Sequence, residues 1–253
     1  QLEKDEAALR KRLEKAYASE AAKLDRLIAV YYAKYGEDKV IEYRRLLQSI
    51  SAEDRTLLME RMDEFARKYP QYADLMPVRE SIYRLNELEA IQMQIRIQQY
   101  EIGAIEQAEL ERHFSEQARR AANMAAEELG FGKDFYRYDS EVVKATVGAA
   151  WAAGEDFSAR IWANREKLAS YLNDDFSKLI ARGVSYDEIS RELRARLNHS
   201  GTRTAMRLVY TEGTYLFNEA QARVHESEFE SYAISCIHDG KACEVCRELE
   251  AYQ

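Results

Sequence analysis

Proline is almost missing from this chain, with two in 253 residues, and glycine is sparse at ten. Proline breaks helices and glycine weakens them, so this scarcity leaves long uninterrupted helices as the default. Long apolar runs are also missing. None approaches the roughly 20 residues that a membrane-spanning helix needs. The charged start from Gln1 to Arg12 lacks the apolar stretch of a signal peptide, so the chain is expected to be cytosolic when made, with no membrane partner. Cysteine is scarce, and Cys236, Cys243 and Cys246 lie close together, which is not the spread of a disulfide framework. There is no surplus of base: 37 Lys and Arg stand against 45 Asp and Glu, a net charge of −8. That balance opposes binding of duplex DNA by the surface as a whole and leaves only a local basic patch for that purpose. No Walker-type loop, dinucleotide fingerprint or zinc-protease helix occurs, and no enzymatic activity is expected.

What is present is 46% hydrophobic and 32% charged residues, ample for the core of a mostly helical protein. Leu13, Tyr17, Leu24, Leu27 and Tyr31 recur at helical spacing in a first amphipathic segment. Tyr35 to Asp38 interrupts it, and Val40 to Ile50 reads as a second, shorter helix. Ser51 supplies a cap, with Glu53 and Asp54 in the first turn, for a third helix reaching about Lys68. Pro70 and Pro77 form the clearest breakpoint. One very long helix is then expected from Val78 to about Leu129, with Leu88, Ile95 and Ile102 on one row and Met93, Ile97 and Tyr100 on another. Apolar on more than one side, it should lie buried between neighbours.

Gly130 and Gly132 end that helix, and the pattern turns helical again from Val142 to Leu197. Within it, Arg182-Gly183-Val184-Ser185 reads as a helix stop followed by a cap, with Glu188 completing a capping box. A break is expected near Asn198 to Gly201, then a helix from about Thr202 to Glu228. Tyr232 to Cys236 has strand character, and His238 to Lys241 suits a hairpin turn. The fold class is mainly α, a long-helix N-terminal region with a small α+β C-terminal module. The expected segments are residues 1–76, 77–135 and 136–253.

Two groups of residues stand out. Cys236, His238, Cys243 and Cys246 offer enough thiolate and imidazole ligands for a tetrahedral zinc site. The bland alternative has reduced, half-buried cysteines and a turn histidine. Arg207 and Thr211 lie four apart on one helix face and Glu212 follows. The plain reading is an ion pair or hydrogen bond within the domain, and the functional one is a surface for a partner protein. Arg191, Arg194, Arg196, Arg203 and Arg207 could form a local basic stripe.

The stretch from Phe157 to Leu197, with Arg182, Gly183 and Ser185, begins a resemblance. Arg207, Thr211, Glu212, Asn218 and Ala220 continue it, and Asp239, Cys243 and Cys246 complete it. Over roughly the C-terminal 100 residues the chain resembles the minor head proteins of tailed bacteriophages, the phage Mu protein F-like head morphogenesis family. Tyr210 stands where that family usually has a second arginine before Thr-Glu. The family pattern also continues past Cys-x-x-Cys to a histidine and a close cysteine pair; either that segment follows Gln253, where it would be the better source of a second ligand pair, or this member lacks it. The resemblance implies a structural virion protein of the head, located at the portal vertex. Its implied partners are the portal protein, the scaffold or major capsid protein, and packaged or ejected DNA. The alternatives are a metal-binding interaction module of a phage-derived effector and a DNA-binding head protein.

Overall fold

A computed structural model describes residues 2–37, 40–149, 156–231, 233 and 244–251. It is mainly helical: α1 (Leu2–Tyr35), α2 (Tyr43–Leu46), α3 (Ala52–Lys68), a 3-10 turn (Pro70–Leu75), α4 (Arg79–Ile82), α5 (Glu87–Glu128), α6 (Glu141–Val147), α7 (Phe157–Ala181), α8 (Tyr186–Glu228) and α9 (Glu244–Ala251). Among the described residues no helix is long and apolar enough to cross a membrane. The chain divides into two compact units, residues 1–113 with 149–213, and residues 114–148 with 214–253. Each unit takes residues from separated parts of the chain.

In the first unit, α1 buries Leu9, Leu13, Tyr17, Leu24, Ile28 and Tyr31, the three-four spacing of one helix face. Ser51 caps α3 as expected, its Oγ accepting from the Asp54 amide at 3.1 Å. Leu58, Met62 and Phe65 of α3 then pack with Ile82, Ala90 and Ile97. α5 is buried on several sides, with Ala90, Ile91, Ile95, Ile97, Ile102 and Ala104 all nearly inaccessible. In the second unit Ala118, Ala121, Ala122 and Ala125 form a small-residue stripe that meets Val143, Ala220 and Val224. Asn123 pins the adjoining loop, donating to the Tyr136 carbonyl and accepting from its amide at 2.9 and 2.8 Å.

Several expectations need correction. Val40 to Ile50 is not one helix. The β-branched pair Val40-Ile41 forms strand β2, antiparallel to β1 (Gly36–Glu37), and only Tyr43–Leu46 is helical. Gly36 permits this turn, because a Cβ there would meet the Tyr32 carbonyl oxygen at 2.4 Å. These short strands lie near the N-terminus, whereas the expected C-terminal strand, Tyr232 to Cys236, and the turn from His238 to Lys241 fall outside the described residues.

The long central helix begins at Glu87, not Val78. Asn86 Oδ1 accepts from the Glu89 amide and Glu89 returns the bond to the Asn86 amide, at 2.8 and 2.9 Å, a reciprocal cap that resets the helix start. The backbone before it pairs with Ser49 and Ile50. The expected break near Gly201 is absent, and α8 runs unbroken from Tyr186 to Glu228. Gly201 is there for closeness: a Cβ would lie 3.2 Å from the Tyr17 ring. Gly103 in α5 does the same against Trp162 and Arg165, at 3.1 and 3.2 Å.

Candidate functional site

The turn that joins α7 to α8 is built as the residues require. Gly183 takes φ +68, the left-handed conformation that a side chain disfavours. Its amide donates to the Ile180 carbonyl at 2.9 Å while the Val184 amide reaches Leu179 at 3.3 Å, which closes the end of α7. Ser185 Oγ then accepts from the Glu188 amide at 3.4 Å to open α8. Tyr32 holds the turn from α1, donating its hydroxyl to the Val184 carbonyl at 2.9 Å.

α8 carries Arg207 and Thr211 on one face and Glu212 on another. Glu212 points inward, only 1% exposed, and Arg160 of α7 donates to its Oε1 at 2.5 Å. Thr211 turns its hydroxyl onto its own helix, donating to the Arg207 and Leu208 carbonyls. Arg207 and Thr211 are exposed. The three residues therefore do not form one constellation. Glu212 closes an interhelical clasp, and the other two belong to the surface.

The first unit also holds a buried cluster that sequence reasoning missed. Arg165 of α7 is 1% exposed, and its Nη2 sits 2.8 Å from Glu106 Oε2 of α5 and donates to the Tyr17 hydroxyl of α1 at 3.3 Å. Burial pushes the Glu106 carboxyl above its ordinary value, and Arg165 and Tyr17 pull it only partly back. Burial, reinforced by Glu106, also raises the Tyr17 phenol, so that it stays protonated. A signal was available: Ile161, Arg165, Leu168 and Leu172 lie on one apolar stripe, and so do Ile102, Glu106 and Leu110. A charge in a core register asks for an opposite charge in a neighbouring helix.

The basic stripe is mostly neutralised. Arg194 pairs with Asp25, Arg196 with Asp175 at 2.6 Å, and Arg191 with Glu192 at 3.8 Å. Asp25 is shaped by this contact. Burial works to raise it, yet hydrogen bonds from Ser190 and Arg194 hold it below the ordinary carboxylate range. Of the proposed zinc ligands, Cys236, His238 and Cys243 lie outside the described residues. Cys246 falls within α9, but its side chain is not among the described parts.

The chain significantly matches no family model, no curated protein and no solved structure.

Proposed function

We propose that the chain is a structural minor head protein of a tailed bacteriophage, associated with the portal vertex and assisting head assembly or genome delivery. The observation that carries this reading is the division of labour on α8. Glu212 locks the helix to Arg160, while Arg207, Tyr210 and Thr211 of the same motif are left exposed. A motif built this way holds a surface in shape for a partner. The Arg182-Gly183-x-Ser185 turn supports the same reading, because it orients α8 through well-formed caps at both sides of the loop. The role is mechanical. Within the first unit Arg165 is paired with Glu106 and Arg160 with Glu212.

The proposed partners are the portal protein first, then scaffold or major capsid protein, and DNA. Zinc remains a proposal for Cys236, His238, Cys243 and Cys246. The test is co-purification of the full chain with the portal protein of the same phage, together with mass spectrometry of mature virions. Retention on the portal and a few copies per virion are expected. Absence from both would overturn the assignment.

A further inference from the structure

One groove in the first unit differs in character from the rest of this acidic protein. Arg160, Asn164 and Lys167 of α7 face Thr204, Arg207 and Thr211 of α8 across two adjoining depressions of about 400 and 180 Å³. Asn164, Thr204 and Arg207 border both, so the depressions form a single trough. From the level of Arg160 to that of Tyr171 it follows eleven residue steps of α7, about 16 Å.

Among the described residues no carboxylate lines this trough, although the chain as a whole carries a net charge of −8. The nearby acids already have cationic partners. Glu212 holds Arg160, Asp175 holds Arg196, and Glu166 pairs with Arg96 at 3.4 Å and accepts from Tyr100 at 3.0 Å. Among the described residues, the side chains of Arg207 and Asn164 make no hydrogen bond or ion pair. A concave surface that presents the cations of Arg207 and Lys167 with no acid beside them, and the idle amide of Asn164, fits an anionic ligand.

We infer that this trough binds a carboxylate-rich segment of a partner protein. Two observations favour such a segment over nucleic acid. First, of the cations that would extend the track along α8, Arg194 and Arg196 are paired with Asp25 and Asp175 and Arg191 lies 3.8 Å from Glu192, so that Arg203 alone remains to add to Arg207, too few charges to meet a phosphate backbone with one charge per about 1.7 Å of duplex. Second, the one aromatic lining the trough among the described residues, Tyr171, already has Lys167 at 5.8 Å and Arg196 at 5.6 Å over its ring, cations that compete with a base for stacking. Asn164, Thr204 and Thr211 instead supply the neutral donors and acceptors that a peptide backbone uses, and Leu168 and Leu208 give apolar footing. The inference goes beyond the head-protein reading and does not require that the partner be a portal.

The experiment uses the full chain and a fluorescein-labelled, glutamate-rich helical peptide, read by anisotropy. The same peptide with glutamine for glutamate and a labelled single-stranded oligonucleotide run beside it. The glutamate peptide is expected to bind, to weaken as salt rises from about 50 to about 200 mM, and to lose at least roughly tenfold in affinity with Arg207→Glu or Lys167→Glu. Arg191→Glu, elsewhere on α8, should leave binding unchanged. Equal binding of the glutamine peptide, or indifference to both charge reversals, would overturn the inference. So would tighter, Arg207-dependent binding of the oligonucleotide, which would assign the trough to nucleic acid.

Discussion

In the first unit, one of the most deeply buried groups is a guanidinium, Arg165, shared between Glu106 and Tyr17. In the second unit the corresponding interior is a run of alanines, and charge is kept to the margin, where Glu116 gathers Arg119, Arg120 and Tyr138. Alanines at 118, 121, 122 and 125 recur at three-four spacing and let packed helices approach closely, with no volume to spare. The buried triad works differently. It stabilises one pairing of α1, α5 and α7, because any other register would strand a charge in the interior. One unit is thus specified by charge and the other by size, and different perturbations should damage them.

The largest effect should come from Arg165→Met, which leaves Glu106 uncompensated and should cost about 3–5 kcal/mol in urea unfolding. Adding Glu106→Leu removes the stranded charge and should restore much of that loss. Equal damage in single and double variants would show that packing, not charge, governs the site. Next in size, Ala122→Leu should cost about 1–3 kcal/mol by overpacking the second unit, with the faster amide exchange centred on α6. An unchanged midpoint would mean that the alanine stripe has slack.

The pH dependence should differ in sign between the units. The Glu106 carboxyl is raised from its ordinary value of 4.5, so its contribution is full below that pH and is lost as pH rises through its folded value. Glu116 is lowered: burial opposes this, but hydrogen bonds from Arg119, Tyr138 and Arg120 prevail. Its contribution is present above 4.5 and lost as pH falls through its folded value. Urea midpoints across a pH series should therefore flatten on the rising side in Glu106→Gln and on the falling side in Glu116→Gln. Matching changes in the two variants would contradict the comparison. At neutral pH Glu116→Gln should be the mildest of these changes, about 1 kcal/mol or less, because the network is partly solvated.

Local chemistry was well legible in the sequence, and long-range chemistry was not. The cap at Ser51, the stop at Gly183 and the cap at Ser185 were readable because a few neighbouring residues determine each of them. The cap at Asn86 was equally local and was overlooked beneath the apolar periodicity that runs through it. Gly201 was misread as a helix end, since nothing in its neighbourhood reveals that Tyr17 packs against it. Arg160 and Glu212 lie 52 residues apart, and Arg165 and Tyr17 lie 148 apart. No spacing rule links such pairs, although Arg165 and Glu106 each announce themselves as charges within apolar stripes. The surface half of the motif, Arg207 and Thr211, was visible from sequence, but the trough in which Arg207 sits depends on how α7 and α8 pack.

The most direct test of the head-protein account is sedimentation of the full chain with the assembled portal ring of the same phage. The account predicts that the chain travels with the ring at a fixed, low stoichiometry. A chain that stays at its own sedimentation position while the ring is intact would contradict it.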